Sequence, residues 1–367
     1  MNPRIENVAE EDGILTFTLS GVNVSLANAI RRILLSDIST VVFLTSPHEM
    51  NKANISINTS RFNNEILKQR LSCIPIHIKD LDMPLKNYIV EIDVENTSDT
   101  LMFVTTENFK IKNVVKNEYL TEKDTRAIFP PNSYTGYFID FARLRPKLSD
   151  EIPGERIQMT CEMTIGRAGE NGMFNAVSTA SYGYTLDDEK VEETLAQKKQ
   201  EWKDSGRTKE EVDYEADNWK LLDAMRITKK DSFDFVIETV GVFDNTDLVK
   251  KSCAILVNQL NDLNDLIEKD ELRIDPSMTT MKNSFDIILE NEDYTIGKVI
   301  EFMLNDKYYE GTKTLTFCGF KKMHPHDSDS IVRIAYLEET DKAVVKQNLK
   351  SCIQDSIEIF ETIQKKF

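Results

Sequence analysis

The chain has 367 residues, 40% hydrophobic and 29% charged, enough to bury a full core and divide into two or three domains, which excludes a disordered or fibrous protein. Its 62 acidic residues against 45 basic ones leave a formal charge of −17, the reverse of a surface that grips phosphate backbone along its length, so any nucleic-acid contact is expected to be local or indirect. The five cysteines (Cys73, Cys161, Cys253, Cys318 and Cys352) form no CxxC pair, which argues against a disulfide framework or a zinc cluster and points to a reducing compartment.

The N-terminal stretch Met1 to Gly13 is polar and acidic rather than signal-like, and no apolar run approaches the roughly 18 residues of a membrane helix. The expectation is a soluble cytoplasmic or nuclear protein whose four sequons, at Asn23, Asn54, Asn58 and Asn96, carry no glycan. Ile14 to Leu19 reads as a strand. After Gly21 and Asn23 a helix pattern starts, with Ser25 as N-cap. Leu26, Ala29, Ile30, Ile33 and Leu34 recur at helical spacing as one apolar face, with Arg31 and Arg32 pointing away from it. Thr40 to Leu44 reads as the next strand, followed by short strands at Tyr88 to Val94, Leu101 to Thr105, Tyr137 to Phe141 and Arg156 to Ile165. Gly166, Gly169 and Gly172 lack a following Lys-Ser/Thr pair and sit between extended runs, so they read as a loop and not a phosphate cradle. Leu186 to Lys220 is dense in charge and reads as a solvated helix or an acidic tether, and Asp270 to Asn283, with Pro276, reads as a linker.

The first pattern then returns. Phe285 to Leu289 is a strand candidate, Asn291 and Asp293 make a turn, and a helix runs from about Thr295. An offset of 270 places Ile296, Ile300, Met303 and Leu304 on Leu26, Ile30, Ile33 and Leu34, and Gly297 on Ala27. The charges do not repeat, since Glu301 and Phe302 stand where Arg31 and Arg32 would be. A long amphipathic helix follows each copy. Val249, Cys253, Leu256, Leu260, Leu263 and Ile267 mark the first, and Val345, Leu349, Cys352, Ser356, Ile359 and Ile363 the second, each 96 positions on. Such stripes are expected to pack within the chain, in an intramolecular seam. The two offsets differ by 174 residues, a domain-sized insertion in the first copy. The organisation expected is therefore a first half from 1–46 and 222–270, an insert over 47–221 ending in the charged segment 186–220, a linker over 271–283 and a second half over 284–367. The fold class expected is α+β, with two paired half-domains of antiparallel strands and helices and a mainly-β insert.

Few residues invite chemistry. Of His48, His77, His324 and His326, only the pair flanking Pro325 resembles ligand spacing, and two ligands are too few. No GxSxG elbow, HExxH pair or close set of aspartates is present. The sequence therefore predicts no catalytic residue, no metal and no cofactor. The adjacent pair Arg31 and Arg32 on a helix reads either as a simply solvated face or, more sharply, as a docking surface, because the planar guanidinium makes several directed bonds.

The run from Asn23 to Ile38, NVSLANAIRRILLSDI, resembles the first-helix motif of the alpha-type assembly subunits of multisubunit RNA polymerases. Asn64 to Ile76 resembles the segment that follows in the third-subunit or archaeal D type, and Phe141 to Pro146 with Gly154-Glu155 falls in the same order. Asn291 to Gly297, Phe317 to Lys321 and His324-Pro325 resemble the smaller partner, the eleventh-subunit or archaeal L type. The resemblance implies two normally separate partners fused in one chain, as in large DNA viruses, forming an internal pseudo-dimer rather than a homodimer. It implies a non-catalytic scaffold that binds the two large catalytic subunits and other small subunits, touches DNA only through the complex, and works in the cytoplasm, in a virus factory or virion. Third-subunit relatives often carry a cysteine cluster for zinc or iron–sulfur in the insert, where this chain has only Cys73 and Cys161, so no metal is expected. By motif position, Arg31, Arg32 and Arg70 become candidate contacts with the large subunits. Leu26, Ile30, Ile33, Leu34, Leu256, Leu260, Ile296, Ile300, Met303, Leu304, Leu349 and Ile363 become candidates for the dimer core. Two other classes compete. A sliding-clamp-like processivity factor is also acidic and repeated but needs several basic helices, for which only Arg31 and Arg32 are available. A hydrolase built on His324, His326 and a distant carboxylate would need stoichiometric zinc.

Overall fold

Leu15, Phe17 and Leu19 alternate with polar neighbours and are buried, which makes Ile14–Ser20 a strand with one face on a core. The structure, a computed structural model, describes residues 1–149, 151–278 and 280–367. Helices and antiparallel sheets build an α+β fold divided into two units. One comprises Met1–Ile33, Thr179–Glu238 and Val249–Phe367, and the other Leu34–Ser178 and Thr239–Leu248.

The elements lying wholly or mostly in the first unit are β1 (Arg4–Glu11), β2 (Ile14–Ser20), α1 (Val24–Ser36), β3 (Val177–Leu186), α2 (Asp188–Asp204), α3 (Lys209–Leu221), β4 (Thr228–Thr239) and α4 (Asn245–Glu268). The unit continues with β5 (Ile274–Pro276), β6 (Ser284–Leu289), α5 (Tyr294–Leu304), β7 (Leu315–Lys321), β8 (Ser330–Tyr336) and α6 (Lys342–Gln364). Its two four-stranded sheets have the orders β1-β2-β4-β3 and β5-β6-β8-β7, the same path traced twice. In each, the strand before the short helix pairs antiparallel with the strand before the long helix: Phe17 faces Phe235, and Ile287 faces Val332.

Local chemistry explains the helix starts. Asn23, not Ser25, caps α1: its side-chain oxygen accepts the Ser25 N–H at 2.9 Å, and Ser25 lies one residue inside the helix. Asp293, at the repeat-equivalent position, accepts the Thr295 N–H at 2.7 Å. The stretch read as a linker carries β5, because Ile274 buries against the sheet opposite Ile287, and Pro276 is tolerated on an edge strand. Thr279 of that stretch lies outside the described residues.

The charged stretch folds as the hairpin α2–α3, closed at its base by the Asp187 N–H donating to the Ile227 carbonyl at 3.0 Å. It holds a small core of its own, with Leu195, Ala216, Trp219 and Ala224 buried against Val191, Trp202 and Ile227. Replacing residues 188–226 by a short turn is therefore expected to shift the melting temperature by only a few degrees while abolishing tryptophan fluorescence, since both tryptophans lie there. A collapse of the remaining fold in circular dichroism would contradict this separation.

The second unit is built around a five-stranded antiparallel sheet in which Arg156–Glu162 pairs with both Ala53–Asn58 and Tyr88–Glu95. Phe43, Phe109, Phe129, Phe141 and Met159 lie in its core. The single strand expected over Arg156 to Ile165 is two, because the chain leaves this sheet at Met163, and Thr164–Gly166 pairs instead with Thr40–Val42. The strand expected at Tyr137 to Phe141 runs from Asp140 to Leu144, since the Asn132 side chain holds a turn through the Tyr134 and Thr135 N–H groups.

Cys161, Cys253 and Cys352 are buried and Cys318 is half-buried, and burial pushes all four thiols up to about 12. Cys73 is exposed. A maleimide at pH 7.5 is expected to modify Cys73 alone in the native protein and all five thiols after denaturation, read by intact mass.

Candidate functional site

The first unit brings the two repeats into contact with each other. Leu26, Ile30, Ile33 and Leu34 on α1 are buried, as are Ile296, Ile300, Met303 and Leu304 on α5. Gly297 faces the Phe320 ring so closely that a Cβ placed there would lie 2.0 Å from Cε2. That approach explains a glycine inside a helix, where it costs roughly 1 kcal/mol relative to alanine. Gly297→Ala is accordingly expected to lose about 1–3 kcal/mol by overpacking, measured by urea denaturation, instead of gaining the helix-propensity increment.

The long helices run antiparallel to each other. Gln364 Nε2 donates to the Lys250 carbonyl at 3.4 Å, Lys350 Nζ reaches Glu268 Oε1 at 3.2 Å, and Lys346 bonds Asp270. Every position of the two apolar stripes is buried, from Val249 to Ile267 and from Val345 to Ile363, Leu256, Leu260 and Leu349 among them. The single polar member, Ser356, satisfies its hydroxyl by donating to the Cys352 carbonyl at 2.7 Å. At the chain end Phe367 packs edge-on against Phe17 at 4.9 Å, and Lys366 Nζ donates to the Pro3 carbonyl at 2.8 Å. The last residues of the second repeat thus touch the first strands of the first.

The arginines hold specific places. Arg32 is half-buried and reaches across the repeats: its Nε donates to the Thr295 hydroxyl at 2.9 Å, and its Nη2 pairs with Asp293. Burial alone would raise the Asp293 carboxyl. Hydrogen bonds from the Thr295 N–H and hydroxyl, together with the Arg32 guanidinium, outweigh it and hold the group below its ordinary value of 3.8. The contact has no reciprocal copy, since the repeat equivalents of Arg32 and Asp293 are Phe302 and Asn23. Arg31, also half-buried, donates from Nε to Asn28 Oδ1 at 2.8 Å. Arg70, in the second unit, donates to the carbonyls of Phe141 and Asp140, each at 2.7 Å, and lies over the Phe62 ring.

A lowered carboxylate contributes stability that is present above its unfolded pKa and is lost as pH falls through its folded value. The Arg32–Asp293 contribution should therefore be full above about pH 5 and fade below the ordinary 3.8. Arg32→Ala is expected to cost about 1 kcal/mol at pH 7 and to narrow its gap to the parent in acid, measured by urea titrations from pH 3 to 7. A gap that persists at pH 3 would argue against the ion pair. Asp293→Asn, which keeps the helix cap, should show the same acid convergence.

His324 Nδ1 accepts the His326 N–H at 3.2 Å, a local turn. Among the described residues no group of three or more His, Cys, Asp or Glu side chains is placed to hold a metal ion, and no helix is long and apolar enough to cross a membrane. What the arrangement can do is hold two strand–helix repeats face to face.

The sequence profile described as RNA polymerase Rpb3/Rpb11 dimerisation domain matches residues 16–260. The chain belongs to this family. The matched range covers the first repeat from β2 to within α4, with everything between. Among curated proteins, the chain is similar to DNA-directed RNA polymerases I and III subunit rpac1 of Dictyostelium discoideum, 30% identical over 49% of this chain and 52% of that protein. The corresponding subunit RPAC1 of Homo sapiens is 29% identical over 49% of this chain and 54% of its own length. The chain thus spans about half the length of these relatives. DNA-directed RNA polymerase subunit Rpo3 of Methanosphaera stadtmanae is 25% identical over 73% of this chain and 99% of its own length. All three of these relatives are named as subunits of DNA-directed RNA polymerases.

The apolar residues that spacing singles out on α1, α4, α5 and α6 are buried, and spacing gives no sign of the polar contact between Arg32 and Asp293. In the sequence, Asp293 reads as a turn residue and Arg32 as a docking group. The signal available was that neither charge repeats at its equivalent position, which is what an asymmetric contact requires.

Proposed function

We propose that this chain is a non-catalytic assembly subunit of a multisubunit DNA-directed RNA polymerase, in which third-subunit-like and eleventh-subunit-like partners are fused and pair as an internal pseudo-heterodimer. The observation that carries the reading is the meeting of the two repeats along α1 and α5 and along α4 and α6, joined by Arg32 and Asp293. Two copies of the first repeat would place Arg32 against an asparagine, and two copies of the second would place Asp293 against a phenylalanine. Only the mixed pair makes the ion pair, which favours the internal partner over a homodimer. Fusion holds the halves at an effective concentration of the order of millimolar, so pairing needs no encounter.

The paired halves then serve as the platform on which the two large catalytic subunits and other small subunits assemble, with DNA reached only through the complex. Arg31 and Arg70 are the proposed contacts with the large subunits, and Arg32 contributes through the pairing. The fused arrangement suits a large DNA virus transcribing in the cytoplasm. The organisation proposed keeps 1–46 with 222–270 as the first half, 47–221 as the insert and 284–367 as the second half.

The test is affinity purification of the tagged chain from its native or infected cells at moderate salt, with mass spectrometry of the eluate. Stoichiometric recovery of two very large polymerase subunits, with RNA synthesis in the eluate, is expected. Recovery of the chain alone as a homo-oligomeric ring would overturn the reading in favour of a sliding clamp.

A further inference from the structure

The hairpin α2–α3 lies outside the repeat contacts and carries features they do not use. Its inward side chains fill their own small core, and its turns are firmly built: Thr208 and Glu211 form a reciprocal cap, and Gly206 takes a φ of +85° between the helices. The outward line of α3 is different. Glu210, Tyr214, Asp217 and Leu221 follow one another at helical spacing with Asp213 beside them, and Lys209 and Lys220 border the face only on its Asp213 side. Tyr214 is 73% exposed and Leu221 76%, and Leu222 and Met225, just beyond the end of the helix, are exposed as well. Of the hairpin's other basic residues, Arg207 pairs with Glu215 at 2.7 Å, Lys190 pairs with Asp187 at 2.9 Å and Lys198 lies over the Trp219 ring.

From this we infer that the outer face of α3 is a docking surface for a lysine- and arginine-rich protein segment carrying apolar anchors. The carboxylates of Glu210, Asp213 and Asp217, spread over about two helical turns, select and orient the incoming cations. Tyr214, Leu221, Leu222 and Met225 supply the apolar area that holds the segment once aligned. The charge of the face decides the class of occupant. Between Asp187 and Arg226 there are thirteen acidic and eight basic residues, a balance that repels nucleic-acid phosphates and anionic lipid and attracts a basic peptide. This inference does not depend on the pairing of the repeats.

The experiment places the photocrosslinker p-benzoylphenylalanine at position 214 of the full-length chain, irradiates intact cells that normally make the protein, and sequences the crosslinked peptide by mass spectrometry. The expected product is one protein peptide with a surplus of lysine and arginine around apolar residues. Its yield should fall at least tenfold in a Glu210→Lys/Asp213→Lys/Asp217→Lys background and also fall in lysates raised from 0.1 to 0.5 M salt. Since all three substituted side chains are exposed, the variant should retain the parent tryptophan emission, which reports the hairpin alone. A crosslink to nucleic acid, to a second copy of the chain or to an acidic segment would overturn the inference. So would the absence of any crosslink, or one indifferent to charge reversal in a variant with native emission.

Discussion

Leu256→Asp is expected to abolish cooperative folding of the first unit or lower its stability by about 5 kcal/mol or more, measured by urea denaturation followed through circular dichroism. Leu256 is fully buried at the centre of the α4 stripe. Removing such a side chain costs roughly 2–5 kcal/mol through lost transfer energy and the cavity left behind. Placing an unpaired carboxylate there adds several more unless the group takes up a proton. Against a total stability of about 5–15 kcal/mol, that sum is decisive. Leu260→Asp and Leu349→Asp, at equally buried positions on the two stripes, should behave alike. Leu256→Met should cost under about 1.5 kcal/mol, because volume and apolarity are kept. Leu222→Asp, at a position 62% exposed, should stay within about 0.5 kcal/mol of the parent. If Leu256→Asp melts like the parent, the stripe is not a seam.

Gly154→Ala is expected to be the most damaging small substitution in the second unit, at about 3 kcal/mol or more. A Cβ at Gly154 would lie 1.7 Å from the Asn96 carbonyl oxygen, a clash of side chain with backbone that no rotamer can relieve. Asn96 is itself completely buried, and its Nδ2 donates to the Thr100 and Leu144 carbonyls at 2.8 and 2.9 Å. Its own N–H donates to the Glu155 carbonyl at 2.9 Å. Moving Asn96 aside therefore breaks several buried hydrogen bonds at once. Hydrogen exchange should show the effect locally, with faster exchange at 94–98 and 142–157 and unchanged protection in α5 and α6. Uniform acceleration in both units would contradict this localisation.

These two expectations differ in how far the sequence alone supports them. The Leu256 stripe is visible as spacing, because a helix that packs on one side must repeat its apolar residues every three or four positions. The same reasoning located α1, α5 and the strands beside them to within a residue or two. Gly154 could be noticed only as part of a motif. What forbids a side chain there is the Asn96 carbonyl, 58 residues earlier in the chain, and no local pattern encodes that proximity. The charged segment 186–220 shows the same limit, because its acidic surface was legible and its tryptophan core was not. Trp202 and Trp219 sit on different helices, and their burial depends on the turn between them.

By itself, the sequence determined the duplication, the registers of 270 and 96 that relate its parts, the faces each helix would bury and the absence of any compact set of catalytic motifs. These are one-dimensional properties, since period and offset survive in the order of residues. Tertiary structure alone decided that β5 joins the second sheet, that both sheets follow one strand order, and that Arg32 of the first repeat meets Asp293 and Thr295 of the second. Each of these is a contact between residues remote in the chain. A polar contact at such a distance needs only one suitable partner and leaves no period behind, whereas a buried apolar face needs many residues and does.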